Sequence, residues 1–141
     1  LNSKELAARA YTLSFSLLSG SAIESKDPLT MLPAFYSLMQ ANGLGYQSGF
    51  QEEAAAEVIG LPGKTMKYLH CGLYLLGFSR ALAGIAQFSL GLASGNALLS
   101  KHGFSNTLHG AGIIAWEAGN YFNRLDINNI NPPMIMCKTS A

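Results

Sequence analysis

Charged side chains are scarce. Asp, Glu, Lys and Arg make up 12% of the 141 residues, against about 25% in an average soluble domain. Little of the surface can be covered by the groups that usually keep a protein dissolved. The remaining apolar surface therefore calls for a partner, a lipid phase or the rest of a longer chain. The nine Lys and Arg are scattered and the net charge is +1, so the basic footprint of a nucleic-acid binder is missing and no nucleic-acid partner is expected. Cysteine is scarce too. Cys71 and Cys137 are too few and too far apart for a disulfide framework or a zinc module of the C-x₂-C kind, and each is expected as a buried, reduced thiol. The chain opens at Leu1 with no basic segment leading into an apolar one, so no secretory signal is expected, and the sequence reads as a processed chain or an excised C-terminal domain. Its length suits one domain with one core.

What charge there is lies unevenly. Eleven of the seventeen charged residues precede Tyr68, whereas Tyr68 to Asn123 holds only Arg80, Lys101 and Glu117. The first half carries matched helix signals. Ser3 can cap a helix with Leu6, Ala10, Leu13 and Leu17 at helical spacing, ended by Gly20. Asp27 and Pro28 form a second start, with Pro33 set to bend or restart the helix and Gly43 to stop it. Ser48 and Gln51 fit a capping box closed by Gly60. "GLPGK", Gly60 to Lys64, is a turn, since it lacks the spacing and the preceding strand of a phosphate loop. From Met66 to about Leu99 one long helix, or two joined near Ser79 and Arg80, is expected. "SKHGFSN", Ser100 to Asn106, reads as a turn, with Ser105 or Asn106 capping a final helix. The asparagine- and proline-rich end reads as irregular. The expectation is an all-α domain of about five helices: a polar helical cover over 1–60, a glycine- and alanine-rich apolar hairpin over 66–122, and an irregular tail over 123–141.

Glycine is abundant where a helix should disfavour it. Each glycine inside a helix costs about 1 kcal/mol relative to alanine, so a helical segment holding many of them needs a reason. Gly77, Gly84 and Gly91 fall seven apart, Gly95 follows four later, and Gly112 and Gly119 are again seven apart. Such spacings put small residues on one helix face. In lipid, where burial adds little between helices, small faces let backbones approach and helices associate. The uncharged run Ala81 to Ser100 gives about 30 Å of helix, about the thickness of a bilayer core. Gln87, Ser89, Ser94 and Asn96 dilute its hydropathy, and Arg80 stands at its edge. Arg80, Trp116 and Glu117 are the residues expected at a membrane interface, with Glu117 also a candidate partner for Arg80. The same hairpin would equally serve as the centre of a soluble helical domain.

The stretches "GFSRALAGIAQFSLGLASG" and "LHGAGIIAWEAGNYF", roughly Gly72 to Phe122, resemble the glycine-rich helical hairpins of pore-forming antibacterial toxins, both colicin-type domains and glycine-zipper effectors. The length departs from the colicin pattern, whose pore domains carry more surrounding helices. The resemblance implies a secreted or delivered protein, soluble before insertion, that permeabilises a target bilayer. It also implies an immunity protein as partner in the producing cell, with a parent-chain domain or a homo-oligomer in the membrane as further partners.

Chemical constellations are sparse. His102, His109 and Glu117, seven and eight apart, would be credible metal ligands on a continuous helix, but the expected turn removes His102, and neither a metal nor another cofactor is assigned. Cys71 could act with His109 in a cysteine-histidine hydrolase, with Asn120 or Asp126 orienting the imidazole. No local signature supports this, and no catalytic residue is assigned. The functional expectation is membrane permeabilisation by the hairpin. The alternative is a non-enzymatic interaction module whose hairpin is core or interface, and a hydrolase comes third.

Overall fold

The computed structural model describes residues 2–42 and 65–128. Every regular element there is helical: α1 (Ser3–Ser25), one 3-10 turn (Pro28–Thr30), α2 (Met31–Ala41), α3 (Thr65–Ser94) and α4 (Ala97–Asn128). The all-α class and the helical hairpin read from the sequence are both present. The expected helix after Ser48, the "GLPGK" turn and all residues past Asn128 lie outside the described residues. α4 itself continues to Asn128, beyond the position where the irregular tail was expected to begin.

Asn2, not Ser3, caps α1, accepting from the Glu5 amide at 2.9 Å. The helix runs through Gly20, expected as its end, and stops at Lys26, whose φ of 56° is left-handed. Gly20 stays helical because it faces α4, where a Cβ would meet Leu108 Cδ1 at 3.3 Å. Packing there outweighs a weak local propensity. The start at Asp27 is as expected: its carboxylate accepts from the Leu29 amide at 3.0 Å and the Thr30 hydroxyl at 3.1 Å. Pro33 falls in the first turn of α2, where its missing N–H would have no helical partner.

The second departure concerns the hairpin turn. "SKHGFSN" is helical throughout, and α3 and α4 are joined at Gly95 and Asn96. Gly95 takes φ 70°, its amide bonds back to the Leu92 carbonyl, and the Asn96 amide reaches the Gly91 carbonyl at 2.9 Å. This is a Schellman stop, which satisfies the orphan carbonyls of α3. Asn96 then starts α4, its side chain accepting from the Leu99 amide at 3.1 Å. One dipeptide closes one helix and opens the next.

α4 lies between its neighbours. α3 packs along one side of it and α1 along another, both antiparallel, and α2 packs on α1. The interior between these helices is small and polar. Ala7, Ala22, Ala34 and Ala115 are buried beside Ser14, Ser21, Ser37, Ser105, Glu117, Asn120 and Asn123. Serine hydroxyls link the layers: Ser14 donates to the Gly112 carbonyl at 2.8 Å and Ser21 to the Ser105 carbonyl at 3.0 Å. Large apolar side chains, including Leu32, Phe35, Leu75, Phe78 and Leu82, are exposed instead. Tyr11 and Leu18 are the large apolar side chains buried among the described residues, and many others of that kind lie on the surface.

Candidate functional site

The hairpin is held by backbone contact. A Cβ built on Gly84 would stand 2.5 Å from Thr107 Oγ1 and 2.6 Å from the Gly103 carbonyl oxygen. One on Gly110 would stand 2.5 Å from the Gly77 carbonyl oxygen, and one on Gly91 2.7 Å from Ser100 Cα. Real Cβ contacts of this kind are prohibitive, so only glycine allows this approach. Gly77, Gly84 and Gly91 on α3 face α4, where Gly110, Gly103 and Ser100 stand opposite them in turn. Gly103 and Gly110 are also seven apart. Their signal was in the sequence, yet it is legible only once α4 is known to begin at Ala97.

The other expected seam residues have different neighbours. Gly112 faces α1, where a Cβ would meet Leu18 Cγ at 2.7 Å, and Gly119 faces the Tyr11 ring of α1, also at 2.7 Å. Gly95 is in the turn, with open space around it. The glycines of α4 thus serve two interfaces: Gly103 and Gly110 admit α3, and Gly112 and Gly119 admit α1.

The face of α3 opposite this seam is uncovered. Leu75 and Leu82, seven apart, are 69% and 66% exposed, and Phe78 and Ile85 beside them are exposed as well. The span Tyr68–Ser94 is long and apolar enough to cross a membrane, and only 17% of an apolar 18-residue stretch within it is buried. A core helix of a soluble protein with that composition would be mostly covered.

Arg80 is exposed near the middle of α3. It does not meet Glu117; its Nε donates to Asn106 Oδ1 at 3.4 Å. Asn106 in turn donates to Gln87 Oε1 at 2.8 Å, so Arg80, Gln87 and Asn106 form a polar strip along one flank of the hairpin. Glu117 is fully buried, and its Oε2 lies 2.7 Å from His70 Nδ1 on α3. Trp116 packs edge-on against Tyr36 of α2 with ring centroids 6.0 Å apart. Of the three residues expected at an interface, Arg80 is at the surface, Trp116 is half-buried and Glu117 is buried.

Sequence reasoning missed the His70–Glu117 pair, because the two are 47 residues apart. Cys71, expected as a reduced thiol, is disulfide-bonded, and no free cysteine is present among the described residues. The thiolate that a cysteine-histidine hydrolase requires is thereby absent at that position. His102, His109 and Glu117 do share one continuous helix, but His102 points to solvent and Glu117 to His70. Among the described residues no three His, Cys, Asp or Glu are grouped to hold a metal.

No protein-family model, curated protein or solved structure matches this chain. The functional reading therefore stands on the hairpin itself: a glycine-seamed pair of helices, one of membrane-crossing length, with an apolar outer face and one polar flank.

Proposed function

We propose that the α3–α4 hairpin works within a lipid bilayer and permeabilises it. The observation that carries this reading is the exposure of α3, whose membrane-length apolar span is mostly uncovered. Each large apolar side chain left in water forgoes about 1.5–3 kcal/mol of burial free energy, and a bilayer core would recover it along the whole face. The interior fits the same solvent. Small residues at helix contacts and hydroxyls or amides bonded between helices are what holds helices together where lipid surrounds them.

The polar flank gives the hairpin a second function in the bilayer. Arg80, Gln87 and Asn106 are costly against lipid. Several hairpins assembled with these flanks inward would turn them toward a shared aqueous path, with Leu75, Phe78, Leu82 and Ile85 facing the hydrocarbon. Permeabilisation follows from that assembly. The test is dye release from neutral and anionic vesicles by the folded protein, run beside Gly84→Leu with circular dichroism on both. Release by the parent and its loss in a still-helical variant is the expected result. A folded parent that releases nothing from any vesicle overturns the proposal and leaves the α3 face as a docking surface for another protein.

A further inference from the structure

The exposed charge of the hairpin is of one sign. Arg80 stands close to the centre of the apolar span Tyr68–Ser94 and is exposed. Its Nε donates to Asn106 Oδ1 at 3.4 Å, so the group it meets on α4 is a neutral carboxamide. Lys101, near the Gly95–Asn96 turn, is exposed as well. Between Tyr68 and Asn123 the one carboxylate is Glu117, which is fully buried and held against His70. Asp27, outside the hairpin, keeps its carboxylate on the Leu29 amide and the Thr30 hydroxyl. No acidic side chain of residues 68–123 reaches the surface.

A guanidinium keeps its proton throughout the working pH range. At mid-span it stands where the surroundings polarise least, so its field is screened less than that of a charge at the membrane surface. Hairpins assembled with the Arg80, Gln87 and Asn106 flank inward repeat that charge once per subunit, which makes a ring. Rings of Arg or Lys admit anions and oppose cations. The carboxamides of Gln87 and Asn106 can donate as well as accept, and beside such a ring they replace part of the water that an entering anion sheds.

Resting on the permeabilisation reading above, we infer that the assembled hairpin conducts small inorganic anions such as chloride in preference to cations, with Arg80 as the residue that selects them. The test records currents from the full chain in planar bilayers of neutral lipid under a potassium chloride gradient, where the reversal potential reads the permeability ratio. Chloride is expected to be about tenfold more permeant than potassium in the parent, about equal to it in Arg80→Gln and less permeant in Arg80→Glu. Lys101→Gln removes the same charge away from mid-span and should keep the preference. Currents without a chloride preference, a preference that survives Arg80→Gln, or one lost as fully in Lys101→Gln overturn the inference and leave permeabilisation standing. No current from the folded parent overturns permeabilisation, and the selectivity with it. Should the Arg80 variants not conduct, the parent alone decides. Its preference should fall severalfold near 1 M salt, where screening acts within about 3 Å, and a preference that salt does not change overturns the inference.

Discussion

His70 Nδ1 on α3 and Glu117 Oε2 on α4 lie 2.7 Å apart with both side chains buried. The pair ties the two helices at the end of the hairpin remote from the Gly95–Asn96 turn, so covalent connection holds one end and this contact the other. Breaking a buried pair by removing one member leaves the other desolvated, at a cost of about 3–5 kcal/mol. His70→Ala is predicted to lower the unfolding free energy by that order in a denaturant titration. Glu117→Gln, which keeps an acceptor for the ring, should cost about 1–2 kcal/mol. Equal losses would show that the carboxylate charge itself is what matters.

The glycines of α3 should respond in opposite directions to the same substitution. Around Gly72 nothing lies within 4 Å of an added Cβ, whereas at Gly84 the Gly103 carbonyl oxygen is 2.6 Å away. Gly72→Ala is therefore predicted to stabilise by about 0.5–1 kcal/mol through backbone entropy. Gly84→Ala is predicted to destabilise by about 1–3 kcal/mol through overpacking. Thermal melts of the two variants beside the parent make the comparison, and a loss of similar size at both positions would contradict the seam.

The two faces of α4 separate cover from hairpin. The three nearest atoms to an added Cβ at Gly112 all belong to Leu18 of α1, so Gly112→Ala should loosen the α1–α4 layer while the hairpin persists. If α1 and α2 restrain the hairpin before insertion, this variant releases vesicle contents several-fold faster than the parent, opposite in sign to Gly84→Leu. Release rates at matched protein and lipid concentrations decide it; slowing by both variants would mean that the α1–α4 layer is part of the inserted state.

The exposed leucines should matter to lipid and not to folding. Leu75, Leu82 and Leu92 are all more than 60% exposed, and surface substitutions of this kind usually change stability by less than about 0.5 kcal/mol. Moving three such side chains into hydrocarbon is worth about 1.5 kcal/mol each at the low end, together about a thousandfold in partition. The triple variant to glutamine is predicted to melt with the parent yet lose vesicle binding in a flotation assay by that order. A large drop in melting temperature would instead mark this face as covered within the protein.

The parts of the fold that the sequence carries locally were legible. Asp27 with Pro28 starts a helical turn because a carboxylate and a preset φ act over three residues, and the heptad of Gly77, Gly84 and Gly91 identifies a close-packed face. Two misplaced stops arise where a distant helix decides. Gly20 and Gly103 look like stops, yet both are held in helices by the neighbours they admit. The real stop, Gly95 with Asn96, is a dipeptide inside a run that hydropathy joins into one. Misplacing that turn hid the second heptad, Gly103 and Gly110, and assigned its role to Gly112 and Gly119. His70 and Glu117 come together only through the antiparallel packing of α3 on α4, which no local pattern encodes.

The most direct test of the central claim reports the surroundings of α3 itself. Leu82→Trp in a Trp116→Phe background gives one fluorophore on the outer face of α3, read with and without vesicles whose acyl chains carry bromine. The account predicts a blue-shifted emission with vesicles and strong quenching by bromine placed deep in the chains. Emission that stays solvent-like with every vesicle, and is not quenched, would contradict it.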